Sequence, residues 1–543
     1  MTMPLALLIL GATIVLRVLY KRWSRVSVGD IPGPGPESFW IGNLQQIRKQ
    51  EVGTMDAKWR KAYGKIARVK VALGMDALWI SDPQALHYIL QKSGYTFEKT
   101  PERTVLSKLL GDDGLDGADA ETHKRQRKLM DPAFGAPVIK ALFPTFVQYA
   151  EILSIKWSKL VEGSPGASCV VNVASDLNVA TVDAICETSF DYHTGCLENA
   201  DNNLAKSYMN LMAVVASRPS DARLVLDNLA EFLTEPVATW LCRIFPGEAF
   251  ARLRRNRREA HKVAEELIET KVGKDLSVTG KRDVMSIFAQ ASTSPDPSTR
   301  MSRYEVISQM RSIMFAGSET TTSTMSFALL ELARHPEYQD CLRAEIRVVE
   351  KNICARGDGE LTTADVDAMP FLQAFLKEVV RVHPAVPYMY RCPVRDEVLP
   401  LSTPITTRSG KVIHEVPVRK SLRLILSIPG YNMDKDVWGE DAHEFNPERF
   451  LRPTEKNGPN VGLWANTLTF SAGARGCIGW KFALYEMQTF LFVLVSRFQF
   501  SLTEDTSRLR REYAGSLVPT LEGEVERGAQ LPLSVSLAEQ QRD

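Results

Sequence analysis

Hydrophobic and polar residues alternate in a segment that begins at Ile66, and farther along the chain apolar residues recur at a longer spacing. The stretch Ile66–Val71 alternates at period two, and Leu78–Ile80 follows after Gly74. This pattern predicts a β-hairpin. Asp82 and Pro83 come next and predict the start of a helix, because Asp can cap a helix and Pro fits its first turn.

The middle of the chain is dominated by apolar residues that recur every three to four positions. This spacing predicts amphipathic helices, over Val263–Val272, Tyr304–Leu332, Gln339–Val349 and Phe371–Val382. Short strand-like segments return at Leu422–Ser427 and Leu531–Leu537. The whole pattern predicts a mostly α fold with a small β portion.

The N-terminal sequence predicts a membrane anchor. Residues 1–16 carry no charge, and Arg17, Lys21 and Arg22 follow them. A spanning helix needs about 20 mostly apolar residues. A cleaved signal peptide is the alternative, but it would place positive charge before the apolar run rather than after it. We therefore predict a single-pass anchor over residues 1–22, with the body on the cytosolic side.

Residues 31–36 alternate proline with glycine after Ile31. Such a run cannot continue a helix, and each proline fixes its local backbone angle. A plain linker is one interpretation. The other is a hinge over residues 31–36 that sets the body against the membrane. Residues 37–543 are then predicted to form one catalytic domain.

Composition narrows the class of protein. The 543 residues carry a formal net charge of +1 and are 44% hydrophobic, which is typical of a globular chain. A dedicated nucleic-acid binder would show a basic excess. The 8 cysteines form no CxxC pair, so neither a disulfide framework nor a zinc site is indicated.

One cysteine, Cys477, lies at the end of a Gly-rich loop that leads into an apolar helical stretch. Backbone N–H groups and the helix dipole at such a position favour an anion, here a thiolate. Gly473 and Gly479 let the backbone approach a flat ligand closely. Arg475 suits a carboxylate on that ligand. The alternative is a structural cysteine in a Gly-rich turn.

This loop resembles the haem loop of the cytochrome P450 family, Phe-x-x-Gly-x-Arg-x-Cys-x-Gly. Its fixed positions are matched by Phe470, Gly473, Arg475, Cys477 and Gly479. The resemblance extends over essentially the whole chain and is greatest to fungal membrane-bound members. It implies the cytochrome P450 fold, a heme b whose iron has Cys477 as its axial ligand, and monooxygenase activity.

A second segment resembles the same family. Glu378 and Arg381 are three residues apart, on one face of a predicted helix. They match the family's Glu-x-x-Arg, and Arg449 would be the third partner. The resemblance implies a structural network that supports the haem loop.

Gly317, Glu319 and Thr320 lie inside the helix predicted over Tyr304–Leu332. Gly and Thr are poor residues for a helix interior, and a Thr hydroxyl bonded to a carbonyl can bend or open the helix. A packing irregularity is the alternative. The segment resembles the family's distal helix. The resemblance implies that Thr320 holds the water and protons consumed in oxygen activation and that Glu319 is the relay acid.

Three more residues are implied in cofactor binding. The family usually has Trp-x-x-x-Arg where this chain has His123 and Arg127. Both side chains can donate to a haem propionate. Arg391 matches another family position that faces a propionate. A solvated charged helix face is the alternative for the segment that contains His123 and Arg127.

The resemblance also implies partners. They are O₂, a lipophilic substrate, the membrane and a separate NADPH–cytochrome P450 reductase, since no Gly-rich dinucleotide-binding segment is present. No nucleic acid is expected. The expected location is the endoplasmic reticulum membrane, and the expected substrate is a fungal terpenoid or similar secondary metabolite. Alternatives are a sterol, fatty-acid or xenobiotic hydroxylase, a haem-thiolate isomerase or dehydratase, and a non-catalytic haem-binding membrane protein.

Overall fold

The computed structural model describes residues 28–229, 232–271, 284–296, 298–357, 359–452 and 458–539. The predicted anchor over residues 1–22 lies outside them. Helices form most of the body. They are α1 (Leu44–Lys49), α2 (Thr54–Tyr63), α3 (Pro83–His87), α4 (Pro101–Gly111), α5 (Ala120–Met130), α6 (Ala136–Glu162), α7 (Val173–Phe190), α8 (Asn203–Tyr208), α9 (Leu211–Ala216), α10 (Asp221–Leu229), α11 (Glu235–Ile244), α12 (Glu248–Lys271), α13 (Val284–Thr293), α14 (Arg303–Arg334), α15 (Pro336–Arg356), α16 (Thr363–Asp367), α17 (Pro370–Val382), α18 (Ile428–Asn432), α19 (Lys435–Trp438) and α20 (Trp480–Arg497).

The strands are short. They are β1 (Ile66–Lys70), β2 (Asp76–Ile80), β3 (Phe97–Lys99), β4 (Ser168–Asn172), β5 (Tyr388–Pro393), β6 (Glu397–Thr406), β7 (Val412–Val418), β8 (Arg423–Ser427), β9 (Phe498–Leu502), β10 (Leu509–Tyr513), β11 (Leu517–Leu521) and β12 (Pro532–Leu537). One sheet has five strands in the order β1-β2-β8-β5-β3, and another has three in the order β4-β12-β9. Two further pairs are β6–β7 and β10–β11. The predicted fold class, mostly α with a small β portion, is confirmed.

The predicted hairpin is present as β1 and β2, whose antiparallel register pairs Ile66 with Ile80. The predicted helix start is also confirmed, because the Asp82 side chain accepts from the backbone N–H groups of Gln84 and Ala85. Residues 263–271 of the helix predicted over Val263–Val272 are the last part of α12, which begins at Glu248, and Val272 lies outside the described residues. The first half of α12 was missed because arginines interrupt the apolar spacing there.

The longest helix, α14, runs through the core. The Ser302 hydroxyl and the Glu305 carboxylate form a capping box at its start, and Pro336 follows its end. It packs against α7, and α20 packs against α6. Among the described helices, α6 is the one that is long and apolar enough to cross a membrane. Its Phe146 ring nevertheless lies 4.8 Å from that of Phe482 in α20, which makes α6 a core helix.

The proline–glycine segment is held against the body. The Pro32 carbonyl accepts from the Arg68 backbone N–H at 2.9 Å, and the Gly35 carbonyl accepts from the Asn43 amide at 2.8 Å. A Cβ on Gly33 would lie 1.8 Å from the Arg68 carbonyl oxygen. Residues 32 and 33 are therefore packed against β1, and Gly35 is bonded to Asn43, just before α1.

Candidate functional site

A cavity of about 360 Å³ separates α14 from the loop that contains Cys477. Both predicted features, the distal helix segment and the Gly-rich loop, thus face one space. Most of the lining is apolar. Its larger apolar members include Leu110, Ile185, Ile313, Phe315, Val386 and Met389.

Backbone contacts set the shape of the loop. The Cys477 N–H donates to the Phe470 carbonyl at 2.9 Å, and α20 begins at Trp480 directly after Gly479. Gly473 has φ +65°, and a Cβ there would lie 1.8 Å from the Leu90 carbonyl oxygen. Only glycine fits this position, because both the backbone angle and the contact exclude a side chain.

The Cys477 thiol lines the cavity. Burial raises its pKa, and the backbone N–H of Gly479 and the charge of Arg127 oppose this only in part. The Gly479 N–H thus favours the thiolate, as the loop pattern predicts, while burial of the thiol opposes it. A bound iron would stabilise the thiolate further, because a thiol is deprotonated when it coordinates a metal.

Positive charge accumulates at one edge of the cavity. The lysine and arginine residues that line the cavity are Lys99, Arg103, Arg127, Arg391 and Arg475. Among the described lining residues, Asp116 is the one carboxylate. It pairs with Lys99, whose pKa burial lowers to about 8 against the effect of Asp116. Burial, followed by the charge of Arg475, lowers the pKa of Arg391 to about 10. Such an excess of cations needs an anionic ligand.

Arg475 has unused capacity for such a ligand. Its Nη2 donates to the Ala118 carbonyl at 3.3 Å, while its buried Nε has no hydrogen-bond partner among the described residues. A carboxylate oxygen at this position can accept from that donor. A haem carries two propionates beside its flat ring. The surplus of cations fits the two propionates, and the space above Cys477 fits the flat ring of a haem.

Arg127 and His123 make different contacts. The Arg127 guanidinium donates to the Gly476 carbonyl and pairs with Asp131, so it is tied to the Cys477 loop as well as lining the cavity. His123 is buried, and its Nδ1 lies 2.8 Å from the Tyr95 hydroxyl. Burial, with the charges of Arg475 and Arg127 next, lowers the His123 pKa to about 3.

Thr320 lines the cavity, and its Oγ1 donates to the Ala316 carbonyl at 2.7 Å. The same bond to the carbonyl four residues earlier is made by Ser318, Thr322, Thr324 and Ser326. These hydroxyls are therefore satisfied within the helix. The helix α14 is continuous through the segment, so it is not opened there.

Glu319 does not face the same space as Thr320. Its carboxylate accepts from the Met212 backbone N–H at 3.0 and 3.3 Å. It lines a smaller cavity of about 20 Å³, together with Asn178 and Thr322. Burial raises its pKa to about 7 against the nearby backbone N–H groups. The structure therefore separates the predicted acid from Thr320.

The predicted support network is present. Arg381 and Arg449 both contact the Glu378 carboxylate, at 2.7 and 3.0 Å. Arg381 also donates to the Asn432 carbonyl at 2.8 Å. The Asn432 side chain then accepts from the Leu468 N–H at 3.0 Å, two residues before Phe470. The network thus reaches the start of the Cys477 loop.

The sequence interpretation missed Lys99, Asp116, Tyr95 and Asn432. None belongs to the motifs that were singled out. Lys99 alone had a local cue, since it is a basic residue in a strand-like stretch just before Pro101. The others are recognised only from contacts between distant segments.

The cytochrome P450 family model matches residues 32–527. Cytochrome P450 monooxygenase 81 of Postia placenta is 31% identical over 98% of this chain and 98% of its own length. Cytochrome P450 monooxygenase 205 of the same fungus is 30% identical over 93% of this chain and 92% of its own. Cytochrome P450 monooxygenase claQ of Ampulloclitocybe clavipes is 28% identical over 93% of each. The chain therefore belongs to the cytochrome P450 family of haem-thiolate monooxygenases.

Proposed function

We propose that this chain inserts one oxygen atom from O₂ into a lipophilic molecule, by hydroxylation or epoxidation. Electrons come from NADPH through a separate reductase. The single observation that carries the proposal is the placement of Cys477 and Thr320 on the lining of one cavity, the first on the Gly-rich loop and the second on α14.

A haem held through a cysteine thiolate supplies dioxygen binding and the electron density that favours O–O cleavage. In this chain Cys477 is the proposed iron ligand. Arg475, Arg391 and His123 orient the cofactor by donating to its carboxylates. Gly479 lines the cavity and allows the close approach of the loop to the cofactor, and Phe470 accepts the hydrogen bond of the Cys477 N–H. Gly473 is not among the lining residues and instead lets the loop pack against the Leu90 carbonyl.

The proposed role of Thr320 is to hold a proton and a water at its Oγ1. That hydroxyl donates to the Ala316 carbonyl and can still accept from a water in the cavity. Glu319 serves as relay acid only if its carboxyl turns away from Met212, so we assign the relay to Thr320 and cavity water.

The proposed substrate is lipophilic, with a terpenoid or similar fungal secondary metabolite as the first candidate. Most of the cavity lining is apolar and includes the side chains of Leu110, Ile313, Phe315 and Val386. Burial of apolar surface is then the main source of affinity, at about 25 cal/mol per Å². Sterols, fatty acids and xenobiotics form the comparison set.

The proposed reductase surface lies outside the Cys477 loop. Lys124 and Lys128 are exposed on α5, the helix whose Arg127 contacts Gly476. Lys481 lies at the start of α20. Positive charge there is complementary to an acidic electron donor and would speed association at low salt.

The proposed location is the endoplasmic reticulum membrane, with residues 1–22 as the anchor and the body in the cytosol. Uncharged residues 1–16 support the anchor. Trp240 and Ile244 of α11 are 58% and 57% exposed. They would form a second apolar contact between the folded domain and the membrane. A carbonate wash tests this: full-length protein should stay in the membrane fraction, and its release would contradict an anchor.

The function is tested by co-expressing the chain with a reductase and feeding terpenoid, sterol, fatty-acid and xenobiotic panels. We expect an NADPH-dependent product that carries one atom from ¹⁸O₂. A product formed without NADPH and without label would identify an isomerase or dehydratase. Haem binding without any product across the panels would favour a non-catalytic haem protein.

A further inference from the structure

A tyrosine outside every motif contacts the imidazole at the cationic edge of the cavity. Tyr95 lies just before β3, and its hydroxyl is 2.8 Å from His123 Nδ1. The two ring centroids are 5.7 Å apart with their planes at 65°. The Arg475 guanidinium carbon lies 5.3 Å from the centroid of the Tyr95 ring. Tyr95 thus contacts two residues of the proposed haem site.

The surroundings of the His123 ring favour its neutral form. The ring is 4% exposed, and burial together with the charges of Arg475, Arg127 and Lys99 lowers its pKa to about 3, against the effect of Asp116. A neutral imidazole has one N–H donor and one acceptor nitrogen. Which nitrogen donates is set by the hydrogen bond of the other.

The two possible tautomers have different consequences for the cavity. If Nδ1–H donated to Tyr95, Nε2 would have no proton. Its lone pair would then face a propionate oxygen, and two acceptors cannot form a hydrogen bond. If the Tyr95 hydroxyl donates to Nδ1, Nε2 carries the proton and can bond a carboxylate. A phenol hydroxyl is a donor as well as an acceptor, so Tyr95 can make this second bond.

We infer that Tyr95 is a positioning residue that donates its hydroxyl to His123 Nδ1 and so presents Nε2–H to a carboxylate of the bound cofactor. The inference rests on the proposed haem site. Outer partners commonly fix the tautomer of a functional histidine in this way.

The proposed role of Tyr95 depends on His123, which stands in this chain where the family usually has tryptophan. An indole has one N–H donor and no acceptor, so its donor is fixed without help. An imidazole needs a second group to fix it. Tyr95 should therefore matter when position 123 is histidine, and its hydroxyl should be without effect when position 123 has no acceptor nitrogen.

Tyr95→Phe is the direct test, because it keeps the ring next to Arg475 and removes only the hydroxyl. The readout is the rate at which the ferric holoenzyme transfers haem to apomyoglobin. With His123 present, we expect Tyr95→Phe to speed transfer roughly three- to tenfold, as for the loss of one hydrogen bond. In the His123→Trp and His123→Phe backgrounds, we expect a change below about twofold, because the coupled partner is gone.

A propionate bending band in the resonance Raman spectrum gives a second readout. It should shift in the same direction in Tyr95→Phe and in His123→Phe, since the first variant leaves the Nε2–H undirected and the second removes it. Equal acceleration by Tyr95→Phe in all backgrounds, or none with His123 present, would overturn the inference alone. A wild-type protein that binds no haem would overturn the proposed function as well.

Discussion

Glu378 and Arg381 form a bidentate pair inside the protein, three residues apart on α17. Both guanidinium–carboxylate hydrogen bonds measure 2.7 Å, and neither side chain is exposed to solvent. The pair is surrounded by carbonyl groups, of Asn432 and Ala442 among others, to which Arg381 also donates. These hydrogen bonds thus connect α17 to the segment that leads into the Cys477 loop.

Arg381→Lys should strongly destabilise the protein and reduce haem retention. Lysine keeps the charge but lacks the planar fork that matches a carboxylate and several carbonyls. Breaking a buried pair costs about 3–5 kcal/mol. Thermal unfolding and the haem-to-protein ratio measure the effect.

A surface pair provides the matched control. Arg356 makes two hydrogen bonds to Asp365, at 2.6 and 3.1 Å, but its side chain is 39% exposed. Arg356→Lys should cost no more than about 1 kcal/mol. Equal losses for the two variants would show that burial of the Glu378 pair has no special importance.

Gly473→Ala should displace the Cys477 loop and prevent haem incorporation. The added Cβ would meet the Leu90 carbonyl at 1.8 Å, in addition to the strain at φ +65°. Gly94 has φ +62°, and a Cβ added there would have nothing within 4 Å. Gly94→Ala should therefore cost only the backbone strain, about 1–2 kcal/mol. Retained haem in Gly473→Ala would contradict the steric argument.

Glu319 should make the stability fall with rising pH. Burial raises its pKa from 4.5 to about 7, so the folded state binds this proton more tightly than the unfolded state. Its unfavourable effect should grow between pH 4.5 and 7 and then stay constant. Glu319→Gln keeps an acceptor for Met212 but cannot titrate.

The measurement is the difference in Tm between wild type and Glu319→Gln across that range. The wild type should lose stability relative to the variant as the pH rises to about 7, with no further relative change above it. A difference that does not vary with pH would mean that the carboxyl is not in the buried position described.

Thr320→Ala should separate NADPH consumption from product formation. Removing the hydroxyl leaves the cavity without its proposed proton-holding group, so reduced oxygen should leave as hydrogen peroxide. NADPH, peroxide and product are measured together. Thr322→Ala is the control, because Thr322 lies on the same helix but bonds Thr181 at 2.7 Å and lines the smaller cavity. Equal uncoupling in both would remove Thr320 from the proposed role.

Local patterns predicted the hairpin and the central helices because neighbouring residues determine them. The motif residues also predicted much of the site, since Cys477, Arg475, His123, Arg391 and Thr320 line one cavity. The orientation of Glu319 was missed. Successive residues on a helix point about 100° apart, so the position next to Thr320 faces another direction.

The other features that the sequence did not predict have a common physical origin. The burial that raises the pKa of the Cys477 thiol comes from distant segments, and a loop pattern does not contain that information. Asp116 meets Lys99 across 17 residues of sequence, and Asn432 reaches Leu468 across 36. Such contacts arise from tertiary packing, which no local spacing encodes.

The ferrous–CO spectrum of the purified protein tests the central claim most directly. Thiolate ligation by Cys477 predicts a strongly red-shifted Soret band in the wild type and its loss in Cys477→Ala. An imidazole-like Soret band in the wild type, or a red-shifted band that persists in Cys477→Ala, would contradict the assignment of Cys477 as the iron ligand.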